Sequence, residues 1–281
     1  MRDTPTRVTF AGAGITIVGD RRGDPEGRPV LLLHGGGQTR HAWDATAQAL
    51  AARGFDVIAV DLRGHGESDW APDGVYRSAD YMADLNAVVS TFSQKPIVVG
   101  ASLGGMLALV FAGAVRPTAT AGLVLVDVAH ETRTEGVNRI IDFMEAGSSG
   151  FASLDEAADA VAAYLSHRKR PESTDGLRKN LRQHADGRWY WHWDPRLLKN
   201  EDLKEARGTG IFVNAARNVK VPALLVRGRE SDVVDDKIAN DLLALIPHAR
   251  DVNVAGAEHM VAGDANDAFT NAILDFCTSI A

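Results

Sequence analysis

Val98-Val99-Gly100-Ala101-Ser102-Leu103-Gly104-Gly105-Met106 sets one serine between glycines at the point where an apolar strand gives way to an apolar helix. The flanks support that reading. Lys95-Pro96 closes the preceding segment, Ile97-Val98-Val99 reads as a buried strand, and Leu103 to Val115 is apolar on nearly every face before Pro117 ends it. The glycines of the G-x-S-x-G pattern allow a sharp, strained turn without Cβ clashes, which lifts the serine hydroxyl clear of the sheet. The following helix aims its first N–H groups at the place where negative charge would develop, so Ser102 is a candidate nucleophile.

Outward from this turn the chain alternates strands and helices. Val8 to Phe10 and Ile15 to Val18 read as a hairpin, and Val30 to Leu33 as a strand running into His34-Gly35-Gly36-Gly37. Phe55 to Val60 is the next strand and ends in Asp61-Leu62-Arg63-Gly64-His65-Gly66-Glu67-Ser68. After the serine helix come strands Gly122 to Val126, Ala223 to Val226 and Asp251 to Val254, with helices Asp235 to Ile246 and about Asn266 to Ser279. This rhythm predicts an α/β fold with a mostly parallel sheet and helices on both faces.

Between His130 and Asn218 the strand rhythm stops, which predicts a helical cap at 130–218 inserted between core segments 1–129 and 219–281. Ser153-Leu154-Asp155-Glu156 is a capping box for an Ala-rich helix, and Leu177 and Leu181 share one face of a further expected helix. Arg188-Trp189-Tyr190-Trp191-His192-Trp193 holds three of the five tryptophans. These rings either anchor the cap or line a pocket, and Trp189, Trp191 and Phe143 are the candidate substrate contacts. The stretch from His167 to Arg207 carries eleven Lys/Arg against seven Asp/Glu; this net-basic part of the cap would either steer an anionic substrate or, as the interspersed signs favour, form the solvated faces of amphipathic helices.

Composition excludes several classes. A net charge of -7 argues against general nucleic-acid binding, and no apolar run reaches the ~18 residues of a membrane span. The N-terminal Met1-Arg2-Asp3-Thr4-Pro5 lacks the apolar core of a signal peptide, so a cytoplasmic protein is expected. Cys277 is the lone cysteine, and its apolar setting suggests packing. The histidines show no H-E-x-x-H or Cys/His ligand spacing, so neither a metal nor an organic cofactor is expected.

A serine hydroxyl is a poor nucleophile at neutral pH and needs a base with an orienting acid. His259, in Gly256-Ala257-Glu258-His259 directly after the last strand, is the expected base. For the acid, Asp232 in Arg227-Gly228-Arg229-Glu230-Ser231-Asp232 completes the order serine, acid, histidine, with each residue at a strand's C-terminal end. Asp127, which ends the strand after the serine helix, competes for that role.

The His34 to Gly37 turn, the Asp61 to Ser68 motif, the Gly100 to Gly105 elbow, the Gly228 to Asp232 loop and Gly256 to His259 together resemble the α/β-hydrolase superfamily. The likeness is to its capped branch, with members labelled esterase, peroxidase-like or epoxide-hydrolase-like. Epoxide hydrolases of the family carry an aspartate at the elbow; Ser102 here points instead to acyl transfer. The resemblance implies a serine hydrolase, and the apolar cap with Phe143, Met144, Phe151 and the Trp189 to Trp193 cluster favours a small hydrophobic or aromatic ester or lactone as substrate. Ser102 would attack, His259 would shuttle the proton, and Asp232 would orient the imidazole. Backbone N–H groups of Leu103 and Gly36 would receive the oxyanion, with Gly37 as the alternative to Gly36. Carbon–carbon bond hydrolysis, a lyase reaction, perhydrolysis or ligand reception on the same fold are the competing readings.

Overall fold

The structure is a computed structural model that describes residues 4–164, 170, 173–199, 210–254 and 267–280. Its centre is an eight-stranded sheet. Strands β1 (Thr6–Ala11) and β2 (Thr16–Gly23) form an antiparallel hairpin, and β2 pairs antiparallel with β4 (Asp56–Val60). From β4 the sheet is parallel, through β3 (Pro29–Leu33), β5 (Ile97–Ala101), β6 (Gly122–Val126), β9 (Ala223–Gly228) and β10 (Arg250–Val254). The spatial order is β1-β2-β4-β3-β5-β6-β9-β10. Strands β3, β4, β5, β6 and β9 are buried along their whole length, which is why their sequences read as continuous apolar runs.

Alternate residues of each strand feed two cores. Leu31, Leu33, Ile58, Val60, Val98 and Leu125 pack on one face with helices α2 (Ser78–Val89) and α3 (Leu103–Val110). Val30, Leu32, Val57, Val99, Val124 and Val226 pack on the other, beneath α1 (Asp44–Ala51). Covering both faces forces the C-terminal ends of the parallel strands to one open edge, where the loops gather.

Over that edge lies the segment that the sequence assigns to a cap. Helices α4 (Thr134–Ala146) and α5 (Leu154–Tyr164) form there, and α5 starts at the expected box, with Ser153 Oγ accepting from the Glu156 N–H at 3.1 Å. The helix expected across Leu177 and Leu181 is absent. A 3₁₀ turn at Asp175–Lys179 leads instead into a two-stranded hairpin, β7 (Leu181–Gln183) and β8 (Trp189–Trp191). The Asp186-Gly187 turn explains the difference: Gly187 takes φ 80, and the Asp186 carboxylate receives the Arg188 N–H, closing a tight hairpin.

Helix α6 (Ile211–Asn218) lies within the range assigned to the cap but packs on the core. Ala215 seats against Gly113, where a Cβ would come within 2.1 Å of the Ala215 carbonyl oxygen. Helices α7 (Asp236–Leu245) and α8 (Asp267–Ser279) complete the two layers. Cys277 is fully buried in α8, and burial pushes its thiol up to about 12, consistent with packing. Among the described residues no helix is long and apolar enough to cross a membrane.

Candidate active site

Ser102 directly follows β5 and caps α3 with φ 46 and ψ -114, a conformation that costs a non-glycine residue about 1–3 kcal/mol. Neighbouring glycines make the turn possible. A Cβ on Gly100 would lie 2.4 Å from the Gly104 carbonyl oxygen, and one on Gly104 would lie 2.5 Å from that of Leu33. The Ser102 N–H is tied to the Val126 carbonyl at 3.1 Å, and the Ser102 carbonyl accepts from Met106 N–H at 2.9 Å.

Beside the serine runs the loop after β3. It is a tight turn in which Gln38 N–H donates to the Gly35 carbonyl at 3.1 Å and Gly35 N–H donates to Gln38 Oε1 at 3.0 Å. Gly37 N–H donates to His65 Nε2 at 3.2 Å. The N–H groups of Gly36 and Leu103 have no hydrogen-bond partner among the described residues. Gly36 faces Leu103, since a Cβ built on the glycine would stand 4.0 Å from the Leu103 Cβ.

Two buried histidines brace that loop against the Asp61 to Ser68 motif. His34 Nδ1 lies 2.7 Å from the Gly35 carbonyl, and its Nε2 accepts from Leu62 N–H at 2.9 Å. His65 Nδ1 lies 3.1 Å from the Arg63 carbonyl, and the rings meet edge-on at 4.9 Å. Burial lowers His34 to about 4, and burial with the His34 neighbour lowers His65 to about 3. Both rings are therefore neutral at pH 7, with the proton on Nδ1. Below them Asp61 accepts from Arg40 N–H at 2.7 Å and from Glu67 N–H at 2.9 Å, which fixes the bend of the motif.

The two acid candidates have different environments. Asp127 follows β6, is fully buried and takes φ 48. Its N–H donates to the Val226 carbonyl at 2.8 Å, and its Oδ2 accepts from Ser231 Oγ at 2.8 Å. Ser231 Oγ in turn accepts the N–H groups of Val233 and Val234, both at 3.1 Å. Ser102 and Asp127 are the two non-glycine residues with positive φ among the described residues, and they directly follow adjacent strands. Asp232 instead turns its carboxylate to Arg139 of α4 at 3.2 Å, with 31% of its side chain exposed. His259 lies outside the described residues; β10 ahead of it ends at Val254, opposite Gly228 of β9.

Ser102 opens into a cavity of about 570 Å³, a size suited to a small organic molecule. Val137, Ile140, Phe143 and Met144 of α4 contribute its cap wall, while Gln38, His41, Lys179 and Asn180 are among its polar lining residues. Lys179 is neutralised by Asp44 at 2.7 Å, and Asn180 accepts from Thr39 Oγ1 at 2.8 Å. Of the expected cap contacts, Phe143 and Trp191 line the cavity with their rings 5.7 Å apart. Trp189 does not line it; its backbone bridges Phe151 and its ring lies under Arg178. Ser231 carries no functional signal in the sequence, and the sequence places His65 in a turn motif near the site without a catalytic part; it stands between two glycines, Gly64 and Gly66, that both take positive φ.

The family model described as alpha/beta hydrolase fold matches residues 28–198. The chain belongs to this family. Among relatives in the family, the esterase Rv0045c of Mycobacterium tuberculosis is 32% identical over 235 residues, covering 80% of this chain and 74% of the relative. A 2-(acetamidomethylene)succinate hydrolase of Mesorhizobium japonicum is 31% identical over 252 residues, covering 88% and 87%. A solved structure of E-2-(acetamidomethylene)succinate hydrolase superposes with a TM-score of 0.82 at 26% identity, covering 98% of this chain and 99% of that one. With such relatives the chain is an α/β-hydrolase-fold enzyme of the esterase and hydrolase kind.

Proposed function

We propose that the protein is a serine esterase that cleaves an uncharged, hydrophobic carboxylic ester, or a comparable lactone, through an acyl-enzyme. The strained Ser102 facing an apolar cavity carries the reading. Its Oγ attacks the carbonyl carbon while His259 takes the hydroxyl proton and returns it to the leaving alcohol; water, deprotonated by the same histidine, then releases the acid. The oxyanion is received by the N–H groups of Leu103 and Gly36. Gly37 is the weaker candidate because its N–H already donates to His65. Each well-placed donor contributes about 2.7–4 kcal/mol to lowering the barrier.

The orienting acid in this reading is Asp127 in preference to Asp232. Asp127 combines full burial, a strand-end position beside Ser102 and a fixed carboxylate, whereas Asp232 is half-buried and bound to Arg139. A buried, hydrogen-bonded carboxylate can hold an imidazole in one tautomer and stabilise its protonated form.

An uncharged substrate follows from the wall chemistry. The α4 side chains in the cavity are apolar, and the charge of Lys179 is already matched by Asp44. A dianionic substrate, such as the name of the Mesorhizobium relative implies for that protein, would find no unmatched cation on the α4 wall. The test is turnover of p-nitrophenyl acetate, hexanoate and hemisuccinate. The expected result is hexanoate preferred over acetate and hemisuccinate disfavoured; preference for the hemisuccinate contradicts the substrate assignment.

A further inference from the structure

The backbone of the loop after β3 must present the Gly36 N–H toward Ser102, yet glycines at 35, 36 and 37 give it little intrinsic stiffness. Gln38 and His34 hold Gly35 on one side of Gly36, so the restraint on the other side has to come from a neighbour of Gly37. The single side-chain acceptor on Gly37 N–H is His65 Nε2 at 3.2 Å, and Gly37 is held at φ 75. His65 is itself immobilised, being 1% exposed, packed on the His34 ring and hydrogen-bonded through Nδ1 to the Arg63 carbonyl.

The cap adds a third constraint. The Gly66 N–H donates to the His192 carbonyl at 2.6 Å, Asp194 N–H donates to the Gly64 carbonyl at 2.8 Å, and His65 forms an antiparallel bridge with Trp193. Trp193 lines the cavity that Ser102 faces. The loop carrying His65 is therefore clamped between the cap strand and the glycine turn. Any drift of His65 transmits directly to Gly37 and, one peptide away, to Gly36.

We propose that His65 is the positioning residue of the oxyanion loop: its neutral Nε2 holds Gly37 so that the Gly36 N–H, together with that of Leu103, points at the oxyanion. This rests on the acyl-transfer reading above. The role needs an acceptor at this point, and protonation at Nε2 would abolish it. The lowered basicity that burial imposes on His65 keeps that acceptor available through the neutral range.

The test compares His65→Met, which fills the site without a strong acceptor, with His65→Gln, which keeps a carbonyl acceptor. Readouts are kcat, KM, affinity for an alkyl trifluoromethyl ketone, and fluorophosphonate labelling of Ser102. With Met, kcat is expected to fall about tenfold to a hundredfold with KM within about threefold, and ketone affinity to weaken by a similar factor, because misplaced donors act on the tetrahedral state. Gln should recover most of both losses. Met and Gln behaving alike in a labelled, folded protein, or ketone affinity unchanged by Met, would overturn the proposal. Absence of labelling in the wild type would instead sink the acyl-transfer reading. Should neither variant fold, 15N NMR of the wild type decides: a bare Nε2 on His65 at pH 7 is expected, and a protonated Nε2 overturns the proposal.

Discussion

Ser231 Oγ donates a 2.8 Å hydrogen bond to Asp127 Oδ2, joining the loops after β9 and β6 across 104 residues of sequence. The serine also accepts two backbone N–H groups from Val233 and Val234, so its hydroxyl proton is directed at the carboxylate. One loop thus fixes a buried acid beside Ser102, while the next residue, Asp232, faces Arg139.

This relationship separates two variants. Asp127→Asn is expected to lower kcat/KM by at least about a hundredfold. The acidic limb of its pH profile should move to lower pH, since an imidazolium without its carboxylate loses the proton more readily. Asp232→Asn removes an exposed ion pair worth about 0–1 kcal/mol and should stay within about threefold of wild type. Steady-state kinetics across pH 5–9 check both, and the opposite ranking assigns the acid to Asp232.

The cap tryptophans give a second contrast. Trp191 lines the cavity and Trp189 does not. Trp191→Ala should raise KM for a bulky acyl ester several-fold and leave small acetates less affected, because a removed aromatic wall weakens apolar contact at about 25 cal/mol per Å². Trp189→Ala should act mainly on thermal stability, through lost packing of the ring on the Phe151, Leu154 and Leu181 cluster and lost contact with Arg178. Chain-length profiles of the two variants, with their melting temperatures, make the comparison.

Acid sensitivity follows from the buried histidines. Burial holds His34 at about 4, His65 at about 3 and His192 at about 4, all below the ordinary imidazole value of roughly 6.5. The unfolded chain therefore binds these protons at higher pH than the folded one. Stability is fully present above about pH 6.5 and falls as pH drops through the window toward 3. Denaturant titrations at pH 7, 5.5 and 4.5 should show that loss, with a shallower pH slope in His65→Gln.

Attachment of the cap to the core passes through Asp194, which is fully buried and accepts from Tyr76 Oη at 2.6 Å while pairing with Arg196 at 2.7 Å. Asp194→Ala removes the acceptor of the Tyr76 hydroxyl proton and the carboxylate partner of Arg196, and is expected to cost about 1–3 kcal/mol of stability. Calorimetry of the variant against Tyr76→Phe/Asp194→Ala tests it, since removing both partners should cost less than the single carboxylate deletion plus the single hydroxyl deletion.

Local chemistry made the elbow legible. Gly100, Ser102 and Gly104 between an apolar strand and an apolar helix specify a turn whatever surrounds them, and the parallel sheet follows from buried strands with short crossovers. The choice between acids was not legible, because the environment of Asp127 comes from Ser231, far away in sequence. His65 was opaque for the same reason, as its partner Gly37 is 28 residues distant. The β7–β8 hairpin escaped because strands of three residues carry almost no period, and Leu177 and Leu181 happen to match a helical spacing.

Acyl transfer at this site requires Ser102 to be an activated nucleophile. Intact mass after exposure to a fluorophosphonate, on wild type and Ser102→Ala side by side, tests it most directly. One stoichiometric adduct is expected on the wild type and none on the folded variant. An unlabelled, folded wild type, or equal labelling of the variant, contradicts it.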